Sequence, residues 1–221
     1  MNMTRTEENY LKAILKLTGA ADQAVSTNAI AAQLETSAAS VTDMLKKLGD
    51  KGLVDYQRYK GSALSDAGHR MATTLVRRHR LWEVFLVNTL GMSWDEVHDI
   101  AEELEHIQSD ALISRLDAFL GYPKFDPHGD PIPNAQGKYT LRSQIPLSEL
   151  GKGKSGVVLG VREDDDTFLK YLREKGLVPG KQILVLAHDP YDNMLRISVD
   201  GHEASLSATV SKNILIKPSL S

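Results

Sequence analysis

The 221-residue sequence contains no cysteine. This absence excludes a disulfide framework, a thiolate metal site and a cysteine nucleophile, and we expect the protein to work in the reducing cytoplasm. No apolar run approaches the roughly 18 residues of a membrane span, and the N-terminus shows no signal-peptide pattern. We therefore expect no membrane partner, and the hydrophobic content of 42% is ordinary for a globular protein.

The net charge is also small, at −3, but positive and negative residues are distributed very unevenly along the chain. Residues 1–80 contain 12 Lys and Arg against 8 Asp and Glu, residues 81–130 contain 2 against 11, and residues 131–221 contain 12 against 10. A basic segment followed by an acidic one suggests an anion-binding module beside a cation-binding module.

The acidic segment predicts a metal-binding helix face. At the helical step of about 100° per residue, one sector of roughly 100° contains four nitrogen or oxygen donors, namely His98, Glu102, Glu105 and His106. Upstream, His79 and Glu83 are four residues apart and therefore share a face of a preceding helix. Donors from two helices suit a divalent transition metal. A solvated acidic face is the alternative, but the interleaved histidines favour a metal site.

The first 65 residues predict a winged helix-turn-helix. Apolar residues recur at helical spacing over 6–17, 27–34 and 39–48, and a short polar turn separates the last two helices. A strand-like run over 53–59 and a second one over 62–65 then form a wing, with Arg58 and Lys60 at its tip. Helical hairpins are common by themselves, but the basic wing and the basic net charge favour DNA binding.

The remaining chain predicts further helices, a connecting segment and a small β domain. One long helix runs from about Asp66 to Asn88, and a capping box at 93–96 predicts the start of the metal-face helix. Another helix runs from about Ser109 to Leu120. The long helix carries enough apolar residues to form part of a dimer interface as well as part of the core. Residues 122–139, rich in Pro, Gly, Asp and Asn, form a linker or an ordered crossover. From about 147, short strands and one helix over 167–172 predict a five-stranded barrel.

Taken together, these motifs resemble the metal-dependent repressors of the diphtheria-toxin-repressor and manganese-transport-regulator family. The resemblance covers nearly the whole chain and rests on six runs, Glu8–Leu11, Arg77–Leu81, Val97–His98, Glu105–His106, Gly129–Pro133 and Leu169–Gly180. It implies a mainly α protein with a small β domain. The implied domains are a winged helix-turn-helix DNA-binding domain at 1–65, a helical metal-binding and dimerisation domain at 66–121, a Pro/Gly-rich linker at 122–146, and an SH3-like, FeoA-type barrel at 147–221.

The resemblance also implies two metal ions per subunit. The family's primary site corresponds here to Asn9, Glu102, Glu105 and His106. Iron-type members place a cysteine at the position of Glu102 and manganese-type members a carboxylate, so Mn²⁺ is favoured over the alternative Fe²⁺. Asn9 departs from the methionine or aspartate that is usual at its position.

The implied second site consists of His79, Glu83, His98 and, from the C-terminal domain, Asp164. Thr167, at the other C-terminal position, lacks the family's usual side-chain amide. Asp126 and His128 stand where the linker contributes ligands in some manganese-type members. Each of these three residues also has an interpretation without metal. Asp126 precedes Pro127 and suits a turn, and His128 suits an exposed position. Asp164 suits the acidic start of a helix.

For DNA, the family reads the major groove with the start of the second hairpin helix. The corresponding positions here are Ser37, Ala39, Ser40, Thr42 and Asp43. Asp43 stands where the family usually has a longer amide side chain. A carboxylate at this position either accepts a hydrogen bond from cytosine or repels the DNA phosphate. The positions suited to the DNA backbone are Thr36, Lys46, Lys47, Arg58 and Lys60.

The sequence thus predicts a homodimeric, cytoplasmic repressor, activated by Mn²⁺ or Fe²⁺, that binds operator DNA and controls metal-uptake and homeostasis genes. We expect neither enzymatic activity nor an organic small-molecule substrate. One alternative is a winged-helix regulator that senses an organic ligand. The other is a carboxylate-bridged metalloenzyme, because Glu103 and His106 form a Glu-x-x-His motif, although a di-iron bundle needs a second such motif that the sequence lacks.

Overall fold

The computed structural model describes residues 3–19, 24–57, 61–163 and 165–219, with Gln57 described by its backbone only. Of the predicted functional residues, Arg58, Lys60 and Asp164 lie outside the described residues. The chain divides into two compact units. The first unit comprises Met1–His79, Glu102–Ala111 and Pro133–Tyr139, and the second comprises Arg80–Ala101, Leu112–Ile132 and Thr140–Ser221. Among the described residues, no helix is long and apolar enough to cross a membrane.

The first unit contains the predicted winged helix-turn-helix. Its helices are α1 (Arg5–Thr18), α2 (Thr27–Gln33) and α3 (Ala38–Asp50), and its antiparallel hairpin is β1 (Val54–Gln57) with β2 (Gly61–Leu64). Helix α1 begins with a capping box, in which Thr4 and Glu7 each accept a hydrogen bond from the other's backbone N–H. The helices pack through fully buried aliphatic side chains, Leu11, Ile14, Ile30, Leu45 and Leu48.

Three further helices follow, and the first two carry His79, Glu83, His98 and Glu102. They are α4 (Asp66–Asn88), α5 (His98–Leu104) and α6 (Asp110–Phe119). The capping-box prediction at Ser93 is wrong, because the Ser93 hydroxyl donates to the Asp95 carboxylate and residues 94–97 form turns and bends ahead of α5. Since α5 also ends at Leu104, Glu105 and His106 lie in the turn that follows it. The four donors predicted on one helix face therefore do not share one helix.

The C-terminal part of the second unit is a six-stranded antiparallel sheet. Its strands are β3 (Ile145–Pro146), β4 (Ser155–Val161), β5 (Gln182–His188), β6 (Leu195–Val199), β7 (His202–Leu206) and β8 (Ile214–Pro218), in the order β3-β8-β4-β5-β6-β7. Helices α7 (Asp166–Glu174) and α8 (Ala208–Asn213) complete it. The predicted mainly α fold with a small β domain is confirmed. The described sheet has one strand more than the five predicted, and neither the two-residue β3 nor the mostly exposed β7 has a strong apolar alternation.

Two segments of the second unit pack against this sheet. Trp94 is buried in the sheet's apolar core, and Arg173 on α7 donates to the Ser93 hydroxyl at 3.0 Å. In the other segment, the His128 carbonyl accepts a hydrogen bond of 2.9 Å from the Val161 backbone. This approach requires glycine at position 160, because a Cβ there would lie 2.1 Å from the His128 carbonyl oxygen. The sheet thus holds the loop that carries His128.

Candidate metal centres and DNA-reading helix

Four side chains form what we call the first cluster: Lys12 of α1, His79 of α4, Glu102 of α5, and Glu105. Glu105 is fully buried, and its Oε2 lies 2.6 Å from His79 Nδ1. The Lys12 ammonium donates to that same oxygen at 2.7 Å and to Glu102 Oε1 at 2.6 Å. One ligand atom each of His79, Glu102 and Glu105 lies within 4.8 Å of the other two. His79, which was predicted in the second metal site, thus lies beside two residues of the primary one.

His106 lies beside a carboxylate that sequence reasoning missed. Its Nδ1 is 2.6 Å from Glu8 Oε2, and the other Glu8 oxygen accepts a hydrogen bond of 3.1 Å from Gln108 Nε2. Glu8 is buried, which is unusual for an acid in the first turn of a helix. The available signal was its position directly before Asn9, within the Glu8–Leu11 run that carries the family resemblance.

Two buried oxygen atoms indicate whether a metal ion suits these residues. Glu105 Oε1 and Asn9 Oδ1 are both buried and accept no hydrogen bond from any described residue. A buried polar atom without a partner is costly, and both atoms have lone pairs that a cation can use. The Glu105 carboxylate also contacts the His79 imidazole, so the first cluster offers nitrogen and oxygen donors without sulfur, which suits Mn²⁺ or Fe²⁺. The residues present therefore fit a divalent cation.

A second cluster, consisting of Glu83, His98, Asp126 and His128, lies in the second unit. Glu83 is buried, and its Oε1 lies 3.6 Å from His98 Nδ1 and 3.5 Å from His128 Nδ1. His128 Nε2 is 2.7 Å from the Trp94 carbonyl, to which it must donate, so Nδ1 is the ring nitrogen that faces Glu83, where it donates when protonated and offers a lone pair to a cation when it is not. A backbone carbonyl fixes the tautomer of metal-binding histidines in this way. His128 is buried, so the interpretation that it is simply exposed is wrong.

Asp126 forms the turn that carries His128. Its Oδ1 accepts hydrogen bonds of 2.9 Å from the backbones of His128 and Asp130, as the turn-former interpretation predicts. Its Oδ2 lies 3.3 Å from Arg80 Nε. Ligand atoms of Asp126, Glu83 and His128 also lie within 4.8 Å of one another. Both the turn and a metal site thus remain compatible with this side chain.

The electrostatics of the second cluster reflect crowded, buried negative charge. Burial, reinforced by the carboxylates of Glu83 and Asp130, raises the pKa of Asp126 to about 7. Burial by itself lowers the pKa of His128, but the neighbouring Glu83 and Asp126 more than offset this and raise it to about 9. Such a site favours an additional positive charge, which a proton or a metal ion can supply.

The predicted second site stays a prediction as a complete set. His79 belongs to the first unit, Glu83 and His98 belong to the second, and Asp164 lies outside the described residues. Thr167 is exposed in the first turn of α7.

Most of the residues predicted to read DNA are exposed at the start of α3. Thr36, Ser37, Ala39 and Ser40 are exposed, and the Ser37 hydroxyl caps the helix by accepting from the Ser40 backbone. Further along, Thr42 is half-buried and donates to the Ala38 carbonyl, and the Asp43 carboxylate lies 3.5 Å from Lys46 Nζ. Lys47 Nζ lies 3.1 Å from Glu7 Oε1. The helix start thus presents small hydroxyl side chains and a methyl group to solvent.

Three family models match consecutive parts of the chain and together cover nearly all of it. Residues 2–62 match the iron dependent repressor N-terminal DNA binding domain. Residues 65–134 match the iron dependent repressor metal binding and dimerisation domain, and residues 145–218 match the FeoA domain.

The chain is also similar over most of its length to known repressors. The chain is 30% identical over 215 residues to the iron-dependent repressor IdeR of Mycobacterium leprae, covering 91% of this chain and 92% of the relative. It is 27% identical over 194 residues to the diphtheria toxin repressor of Corynebacterium diphtheriae, covering 88% and 80%. A solved structure of a manganese-dependent transcriptional repressor in complex with manganese is 37% identical, with a TM-score of 0.81 over 96% of this chain and 100% of that one. The chain therefore belongs to the diphtheria-toxin-repressor and manganese-transport-regulator family of metal-dependent transcriptional repressors.

Proposed function

We propose that this protein is a homodimeric cytoplasmic repressor that binds the operators of metal-uptake genes when Mn²⁺ or Fe²⁺ is bound. The observation that carries the proposal is the contact of α1 with candidate metal ligands inside the first unit. Glu8 lies beside His106, and Lys12 bridges Glu102 and Glu105. A helix of the DNA-binding part thus shares its contacts with the metal-binding atoms, so metal binding acts directly on its position.

The proposed first metal site takes its ligands from Glu102, Glu105, His106 and Asn9, with His79 and Glu8 beside them. The proposed second site takes Glu83, His98 and His128, with Asp126, His79 and Asp164 as further candidates. When bound, the divalent ion supplies strong bonds that join carboxylates and imidazoles from different helices. The carboxylate at position 102 supports Mn²⁺ as the preferred ion, and two clusters support two ions per subunit.

Activation then follows from linkage. A metal ion that binds more tightly to the arrangement of α1 in which the recognition helices fit DNA shifts the population towards that arrangement. By reciprocity, operator DNA must tighten metal binding by the same factor. The residues that hold α1 therefore also determine how strongly the two binding events are coupled.

The proposed DNA surface is the start of α3 together with the wing. Ser37, Ala39 and Ser40 are exposed for base contacts, and Thr42 and Asp43 follow on the next turn. The proposed phosphate contacts are Thr36, Lys46, Lys47, Arg58 and Lys60. Asp43 lies next to Lys46, which lowers its repulsion of the DNA backbone.

The proposed dimer interface lies on the apolar surface of α6 and the end of α4. Four large apolar side chains of the second unit are exposed there, Leu90, Leu112, Phe119 and Tyr122. Two-fold dimers match operators with paired half-sites. We also retain the four-part division of the chain after residues 65, 121 and 146 as a proposal.

The enzyme alternative is set aside, because the family consists of DNA-binding transcriptional repressors. The organic-ligand alternative makes an opposite prediction about metal content. Elemental analysis of the purified protein distinguishes the two, since a regulator that binds DNA tightly without metal fits only the organic-ligand alternative.

Fluorescence anisotropy with a labelled duplex, selected from random DNA in the presence of Mn²⁺, tests the proposed function. We expect Mn²⁺ or Fe²⁺ to tighten binding at least tenfold, or about 1.4 kcal/mol, and a chelator to reverse the effect. Duplex binding that is equally tight in chelator contradicts metal activation. A scrambled duplex is the control for non-specific, salt-dependent attraction.

A further inference from the structure

Lys12 makes contacts that a cation at the first metal site would make. Its ammonium lies 2.6 Å from Glu102 Oε1, 2.7 Å from Glu105 Oε2 and 3.4 Å from His79 Nδ1. Because His79 Nδ1 is also 2.6 Å from Glu105 Oε2, this nitrogen donates to the carboxylate, and its approach to Lys12 brings two donors together. The ammonium is therefore bound by the two carboxylates.

The surroundings explain why a lysine is stabilised there. Glu105 is fully buried and the Glu102 side chain is 35% exposed, so the first carboxylate is cut off from water and the second reaches it only in part. Buried charges of one sign are costly unless a counter-charge is paired with them. The Lys12 side chain is itself only 19% exposed, and it supplies that counter-charge from α1.

We infer that Lys12 is a built-in counter-ion of the first metal site, which a divalent ion must displace and which therefore weakens metal binding. This inference rests on the proposed function, because it takes Glu102 and Glu105 as metal ligands. An ion bonded to both carboxylates approaches their oxygens to roughly 2.0–2.2 Å, and an ammonium hydrogen-bonded to the same two carboxylates repels it. The two cations exchange, so Lys12 helps to determine the metal concentration at which the protein responds.

The side chain is suited to leaving. Lysine has a flexible four-carbon stem with a compact, strongly hydrated charge at its end, and its ammonium regains water when it moves outwards. The exchange also removes a direct link between α1 and α5 and replaces it with bonds to the metal. Lys12 thus helps to set the metal affinity of the sensor and need not touch the bound ion.

Titration of the full-length protein with Mn²⁺ alone, after chelator treatment and buffer exchange, tests the inference by calorimetry. Lys12→Met keeps the length of the side chain and removes its charge. We expect this variant to bind the first, more tightly held Mn²⁺ ion roughly tenfold to a hundredfold more strongly than the parent protein does. The reason is that the charge-assisted hydrogen bonds of Lys12 with Glu102 and Glu105 no longer compete with the ion. Lys12→Arg retains the charge and should not show the gain. Lys170→Met, which removes an exposed charge on α7, should match the parent.

Unchanged or weaker Mn²⁺ binding by Lys12→Met overturns the inference while leaving the proposed function intact. Parent protein that binds no Mn²⁺ contradicts the proposed function itself, and the inference with it. Nuclear magnetic resonance of ¹⁵N-labelled lysine ammonium groups in the parent protein provides a test that does not depend on the methionine variant folding. We expect the Lys12 signal, assigned by its loss in Lys12→Arg, to be protected from exchange before addition of diamagnetic Zn²⁺ and to lose protection afterwards. A signal that stays protected at saturating Zn²⁺ overturns the displacement.

Discussion

Glu102 and Glu103 are adjacent residues of α5 with different surroundings. Glu102 accepts a hydrogen bond from Lys12 and lies within the first cluster, whereas Glu103 is exposed. Replacing a proposed ligand with its uncharged amide removes a bond to the metal, so Glu102→Gln should lower Mn²⁺ affinity by roughly tenfold or more. Glu103→Gln changes the net charge equally and should leave the affinity unchanged. Calorimetry measures both, and equal losses would mean that only the overall charge of the segment matters.

Glu7 illustrates a buried carboxylate with a structural task. It accepts hydrogen bonds of 2.9 Å from the Thr4 backbone and 2.6 Å from Lys51, and Lys47 lies at 3.1 Å. Burial by itself raises the pKa of Glu7, but the contacts with Lys51, Thr4 and Lys47 outweigh it and lower the pKa to about 2. Glu7 therefore ties the start of α1 to the end of α3.

The pKa of Glu7 predicts a pH-dependent contribution to stability. A depressed folded-state pKa stabilises the protein above the unfolded value of 4.5, and the contribution is lost as the pH falls through that range to about 2. Glu7→Gln should lower the free energy of unfolding at pH 7 by about 1–3 kcal/mol, and its difference from the parent should shrink towards pH 2. Urea unfolding at several pH values measures this. Exposed Glu163→Gln is the control, and a pH-independent difference would contradict the assignment.

At the scale of elements, the contact between the His128 loop and β4 is decided by two glycines. A Cβ on Gly160 would lie 2.1 Å from the His128 carbonyl oxygen and 2.6 Å from the Gly129 Cα. These distances are far inside van der Waals contact, so backbone must move if either residue gains a side chain. The loop also carries His128 Nδ1 towards Glu83, which links sheet packing to the second cluster.

We expect Gly160→Ala to destabilise the protein by about 1–3 kcal/mol and to weaken the second Mn²⁺ equivalent. Gly151→Ala is the matched control, since its Cβ would meet only Lys154 Cγ at 3.9 Å. Chemical unfolding and calorimetry measure the two effects. If Gly160→Ala unfolds and binds like the parent, the close approach of loop and strand does not position His128.

At the scale of the whole molecule, the proposed function requires two copies of the chain. Phe119 is 68% exposed on α6, and its ring lies 6.3 Å from that of Phe85, centroid to centroid. Burial of such a side chain in an interface is worth about 1.5–3 kcal/mol. An exposed aromatic cluster of this kind is the apolar surface that a dimer would cover.

We therefore expect Phe119→Glu to raise the dimer dissociation constant at least tenfold, because it places a charge in an apolar interface. Tyr191→Glu, at a 96% exposed position in the turn after β5, is the control. Sedimentation equilibrium of the two variants measures the effect. A dimer that is unchanged by Phe119→Glu would place the interface on another surface of the protein.

Local pattern determined the elements of this protein to a large extent. The predicted helix from about Asp66 to Asn88 is α4, and the hairpin of short helices before it is α2 and α3. These elements follow from hydrophobic periodicity and helix caps, which are written in neighbouring residues. The residue types of the proposed metal ligands could likewise be predicted, because a cluster of histidine and glutamate in an acidic segment is a property of composition and spacing.

Tertiary structure decided how those residues are grouped. Burial of Trp94 in the sheet core and the Ser93–Asp95 hydrogen bond delay the start of α5 to His98, which local capping rules did not anticipate. His98 then lies beside Glu83, whereas Glu105 lies beside His79.

Lys12, Glu8 and the buried position of His128 also emerged only in the folded chain. A lysine on an N-terminal helix has no local signal that pairs it with carboxylates about ninety residues later. Such pairings depend on which helices pack together, and packing is set by the sum of many distant contacts and not by any one stretch of sequence. For this reason the sequence determined which side chains are available for metal and DNA, and the fold decided which of them meet.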